Sequence, residues 1–204
     1  MRSNKHRKVK TRFKITKPLI FLLGFIVVII ILTGLLSIES ADEKLYTRIT
    51  NAQAAIDDFS GKTLDKDNVF KQISYKKLTK KVKSSDYVYV YYGTTTNTNF
   101  LTYIQTVNDR AQTYNVDKVY LLDSKWATSI DIDDEDYGEE NNNVLTEVEK
   151  ALGGVDMTIA PSLWIFQNGN VVFNSEDYLS DTYQAGTWNY VIEQAFGHFP
   201  GEED

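Results

Sequence analysis

From Pro18 to Ile38 the chain reads PLIFLLGFIVVIIILTGLLSI, 21 residues without a charged side chain. At about 1.5 Å of rise per residue that length matches a hydrocarbon layer about 30 Å thick. After it the pattern breaks into shorter periods. Leu45, Ile49, Ala52 and Ile56 recur at helical spacing and predict a stalk or first helix within residues 39–60. GKTLDKDN is a turn, and VFKQIS, 69–74, reads as a short strand. YKKLTKKVKSS, 75–85, is a short amphipathic helix with Leu78 and Val82 inward, and its lysines read as a solvated face.

DYVYVYYG, 86–93, is β-branched and aromatic throughout, as suits a strand buried on both faces. Its alternation makes Tyr87, Tyr89, Tyr91 and Tyr92 core residues rather than a stacking platform. A helix over 99–116 puts Leu101, Ile104, Val107 and Ala111 on one face, and DKVYLLDS, 117–124, is a second buried strand. Strand, helix and strand in that order predict a parallel βαβ unit. An acidic, amide-rich loop, 126–143, leads to a helix over 144–154 with a Gly stop. LWIFQ and VVFNS flank Asn168-Gly169, a strong hairpin signal. A closing helix, 181–196, turns Trp188, Val191, Ile192 and Ala195 inward, and GHFPGEED reads as a loose polar tail. Trp164 and Trp188 both read as core.

Charge is split between the ends. Residues 1–17 hold eight Lys/Arg and no acid. The remaining 14 Lys/Arg face all 28 Asp/Glu after residue 38, a formal −14 that the whole-chain −6 conceals. The basic flank and apolar run predict an anchor with its N-terminus inside and residues 39–204 outside. A cleaved signal peptide is the competing reading, against which stand an apolar run longer than the usual ~7–15 residues and the poor cleavage site SIESA. An acidic outer part is not expected to bind nucleic acid or anionic headgroups by charge. The chain has no cysteine, so disulfides, thiol exchange and thiolate-bound zinc are excluded.

Histidine occurs only as His6 and His198, which removes Ser-His-Asp arrangements and histidine metal sites from the folded region. The acidic stretch DIDDEDYGEENNN misses the EF-hand spacing in both registers that start from Asp131 or Asp133. Weak calcium binding and a solvated loop both stay open there. No metal, cofactor or enzymatic activity is expected.

The order βαβ, α, ββ, α resembles the thioredoxin-like superfamily over roughly residues 69–196. Two segments carry the resemblance: the turn YYGTTTNTN opening a helix, where that family keeps Cys-x-x-Cys, and TIAPSLWIFQNGNVV, its proline-strand-turn segment. ISYKKLTKKVKSSDYVYVYYG is most similar to bacterial bacteriocin transport accessory proteins. The resemblance implies a central mixed sheet flanked by helices, preceded here by one transmembrane helix, and a cis Ala160–Pro161 bond. It places the lost cysteines at Thr96 and Asn99 or at Asn97 and Phe100. It also implies that Ala160, before the proline, presents N–H and C=O to an extended polypeptide. Thr94, Thr96, Asn97, Ala160 and Pro161 are then the candidate binding residues; the competing reading is that the turn only caps the helix, through Asn97 or Thr98.

The expected organisation is a basic cytoplasmic segment (1–17), a transmembrane anchor (18–38), a stalk and linker (39–68), a thioredoxin-like domain (69–196) and an acidic tail (197–204). The expected function is a redox-inactive accessory module holding an exported polypeptide or membrane-protein partner outside the cytoplasmic membrane. The alternative is a structural subunit of an envelope or secretion assembly, recruited through anchor and stalk.

Overall fold

The computed structural model describes residues 40–123, 148–179 and 185–201. The basic segment, the apolar run 18–38 and the acidic loop lie outside the described residues, so their expectations are untouched. No described helix is long and apolar enough to cross a membrane. The described elements belong to the unit that begins at Ser40.

In chain order they are α1 (Ala41–Ala54), β1 (Phe70–Gln72), α2 (Tyr75–Lys81), β2 (Val88–Gly93), α3 (Thr98–Thr113), β3 (Val119–Asp123), a helical segment at 148–151, β4 (Ser162–Gln167), β5 (Asn170–Asn174), a 3-10 turn (Ser175–Tyr178) and α4 (Ala185–His198). The strands form one sheet in the order β1-β3-β2-β4-β5. β1, β3 and β2 are parallel; β4 is antiparallel to β2, and β5 is in turn antiparallel to β4. This mixed sheet, helices on both faces, is the thioredoxin-like arrangement that the resemblance implied.

β2 sits at the centre, and all six of its residues are buried. The two-residue period of a strand divides its side chains between two cores. Tyr89 and Tyr91 enter the layer under α1, α3 and α4. Val88, Val90 and Tyr92 enter the layer with Leu78 of α2, Leu152 and Trp164. Each buried tyrosine hydroxyl on β2 donates to a backbone carbonyl: Tyr89 to Phe199, Tyr91 to Phe100 and Tyr92 to Met157. That satisfies the polar group that burial would otherwise penalise. Tyr87 precedes the strand and is 37 % exposed, so it is not the core residue that alternation predicted.

Three boundaries differ from the sequence reading. Residues 41–54, expected as a stalk, are built into the domain, because Leu45 and Ile49 are buried in the α1–α3–α4 layer. The linker after α1 is held by buried amides. Gln53 Oε1 accepts from Leu64 N–H, Gln105 Oε1 from Asp65 N–H, and Asn108 Oδ1 from Val69 N–H. The tail is not loose over its described part: α4 runs to His198, Phe199 packs edge-on against Tyr87, and Gly201 N–H donates to Tyr114 O. Phe199 supplies the apolar anchor that the surrounding glycines and charges obscured. Trp164 and Trp188 are fully buried, as expected.

The Asn168-Gly169 turn has both residues at positive φ, 52° and 82°, the conformation that a two-residue hairpin of this hand requires.

Candidate functional site

The carboxyl ends of the parallel strands meet at one end of the sheet, where Gly93 pairs with Asp123. In open α/β sheets this is the end at which ligands gather. Two loops converge on it from distant parts of the chain: the turn after β2 and the segment before β4.

The first is Thr94–Asn97. Asn97 N–H donates to Thr94 O, closing the turn, and the Thr94 and Thr96 hydroxyls lie 3.4 Å apart. Asn97 is the N-cap of α3, its Oδ1 accepting from Phe100 N–H at 3.1 Å. Of the two caps the sequence allowed, Asn97 is the one used. An unpaired N–H at a helix start needs such an acceptor, and asparagine in extended conformation supplies it. Thr96 and Asn99 are exposed, whereas Phe100 is fully buried and stacked on Tyr91 at 4.9 Å.

The second loop carries Ile159, Ala160 and Pro161. The Ala160–Pro161 bond is cis, as the resemblance implied. A hydrogen bond joins the two loops: Asn97 Nδ2 donates to Ala160 O at 3.0 Å. Thus of the two backbone groups assigned to a partner, the carbonyl already accepts from within the chain. The N–H has no acceptor among the described residues. Ala160 is half-buried and Ile159 is 37 % exposed. The structure therefore brings Asn97, Ala160 and Pro161 together, with Thr94 and Thr96 in the same turn as Asn97.

Beneath the proline loop lies a polar group that sequence reasoning missed. Ser162 Oγ donates to Ile159 O at 2.8 Å and lies 3.4 Å from Glu176 Oε1. Burial pushes the Glu176 carboxyl above its ordinary value; the Asn174, Trp164 and Ser162 side chains oppose that rise. Glu176 belongs to the short turn after β5, fourteen residues from Ser162, and no spacing in the sequence ties the two. A raised pKa means that the folded state favours the neutral acid. Stability is therefore expected to fall as pH rises from the ordinary carboxyl value through the folded one. Glu176→Gln is expected to flatten that dependence, read from thermal midpoints of both proteins between roughly pH 4 and 7. Parallel curves for the two would remove Glu176 as the cause.

On the other side of the turn, Asp123 closes β3 with a side chain 1 % exposed and pairs with Arg48 Nη2 of α1 at 3.3 Å. Sequence reading missed this pair too. Among the described residues no group of three or more His, Cys, Asp or Glu is placed to hold a metal. His198 Nδ1 lies 3.0 Å from Gln194 O, away from both loops.

No protein-family profile matches the chain, and no curated protein matches it. Nine solved chains do. One of them, described as an inferred oxidoreductase with a thioredoxin fold, is similar at 14 % identity and a TM-score of 0.34, covering 62 % of this chain and 93 % of that one. The fold stands on the strand order and the proline loop, independent of that likeness. The described domain is a thioredoxin-like one in a chain without cysteine.

Proposed function

We propose that the protein is a redox-inactive binding module, anchored by residues 18–38 with its N-terminus inside, that holds a polypeptide or membrane-protein partner outside the cytoplasmic membrane. The finer resemblance to bacteriocin transport accessory proteins supports this reading. One observation carries it: a half-buried Ala160 whose N–H has no acceptor among the described residues, flanked by an exposed Ile159 and a hydroxyl-rich turn, in a chain without thiols. Backbone pairing supplies affinity to an extended segment, and the side chains beside it supply selectivity. The role is binding rather than catalysis, since thiol–disulfide exchange needs a thiolate and threonine and asparagine do not provide one. The alternative is a structural subunit of an envelope or secretion assembly recruited through anchor and stalk; α1 packed into the domain core leaves the anchor as the segment that would recruit it.

Photo-crosslinking of the full chain in native membranes tests the reading. Benzophenone probes go at Thr96 and Ile159, with a control at Tyr190, which is 55 % exposed on α4. The expected result is one discrete product from both site probes and none from the control. Equal products from all three positions, or none, would overturn the proposal.

A further inference from the structure

The Asn97 carboxamide has its two ends committed to different tasks. Oδ1 caps α3, and Nδ2 reaches across to the Ala160 carbonyl, 63 residues away in the chain. A residue that joins an antiparallel strand exchanges two backbone bonds with its partner, giving its N–H and receiving at its C=O. Among the described residues nothing accepts from the Ala160 N–H, so Ala160 can do the first. Its carbonyl oxygen has two lone pairs, and Asn97 already occupies one of them.

We infer that Asn97 is a latch on the acceptor half of the partner site: its amide holds the Ala160 carbonyl, so the N–H of a captured strand competes with Asn97 Nδ2 for that oxygen and pairs with it best when the amide is displaced. The inference rests on the partner reading above and adds its regulation. It also states what the partner's backbone meets first. A partner carbonyl finds a ready donor in Ala160 N–H, whereas a partner N–H competes with Nδ2. Displacement forfeits one internal hydrogen bond of ordinary net strength, so an open latch is expected to raise capture roughly 2- to 10-fold. The cap need not be lost in opening, because Oδ1 and Nδ2 serve different loops.

Two substitutions separate latch from cap. In Asn97→Asp the side chain remains an acceptor for Phe100 N–H and suits the positive end of α3, but it has no N–H to give Ala160 O. In Asn97→Ser the hydroxyl still caps but is too short to span to the proline loop. Alanine would confuse the two roles, since it abolishes both.

The experiment uses the full chain in native membranes with the benzophenone probe at Ile159, outside the mutated turn, and yields normalised to folded protein. The expected result is a 2- to 10-fold gain of one product in both variants, or its appearance in both where the unmodified chain gives none. Yields unchanged or lower in both, with the unmodified chain still capturing, would overturn the latch and leave the partner reading standing. A gain in only one variant traces to that side chain's own chemistry and likewise overturns the latch. No product from the unmodified chain or either variant, at Ile159 or at Thr96, overturns both.

Discussion

Replacing Phe100 with alanine is expected to lower the stability of the domain by about 3–5 kcal/mol, the usual range for deleting a buried aromatic side chain. Phe100 is fully buried in the first turn of α3, and its ring stacks on Tyr91 of the central strand at an interplanar angle of 11°. It also fills the space over Gly93. A Cβ built at Gly93 would lie 2.4 Å from Phe100 Cδ2 and 3.0 Å from its Cγ, closer than real contacts come. The ring is enclosed and cannot swing clear, so Gly93→Ala is expected to cost about 1–3 kcal/mol by overpacking. The two effects share one volume and are therefore coupled. In the Phe100→Leu background, Gly93→Ala is expected to cost less than it does alone. Denaturant midpoints of the four proteins measure this cycle. Strict additivity would show that the glycine serves backbone conformation rather than room for the ring.

Arg48→Ala is expected to cost a similar amount, about 3–5 kcal/mol, the range for removing one partner of a buried ion pair. The asymmetry of exposure decides this. Arg48 keeps 25 % of its side chain in solvent, but the Asp123 carboxylate is 1 % exposed and loses its cation at 3.3 Å. An exposed pair such as Lys62–Asp109 is worth far less, since water and salt screen it and the side chains lose freedom. Removing both charges with residues of similar volume, Arg48→Met with Asp123→Leu, is expected to recover most of the loss, because no buried charge then remains. Unfolding of the full chain at low and high salt checks both points. A loss below about 1 kcal/mol that vanishes in salt would place the pair among surface bridges.

The position of this pair links stability to the candidate site. Asp123 is opposite Gly93, whose next residue opens the polar turn. Arg48 thus ties α1 to the end of the sheet where Thr94–Asn97 and Ala160 converge. A helix read from its spacing alone as a stalk or first helix becomes one wall of that end of the domain.

Much was decided by local pattern. The apolar alternation of residues 88–93, the helical repeat of Leu101, Ile104, Val107 and Ala111, and the Asn-Gly turn are short-range signals, and each element formed where its period placed it. The absence of cysteine settled by composition that the domain performs no thiol chemistry. The cis peptide followed from a resemblance in one proline segment. Side chains that act at a distance were another matter. Gln105 and Asn108 look like the polar face of an amphipathic helix, yet they are buried, because the linker after α1 brings unpaired backbone N–H groups to them. Asn97 reads as a cap, and it is one; that its other end holds the Ala160 carbonyl depends on how the sheet sets β2 beside β4. Ser162 with Glu176 and Arg48 with Asp123 are likewise pairs made by strand order. A sequence period records which face of an element is apolar. It does not record which polar groups the completed fold will leave facing one another, and the candidate site is built from those.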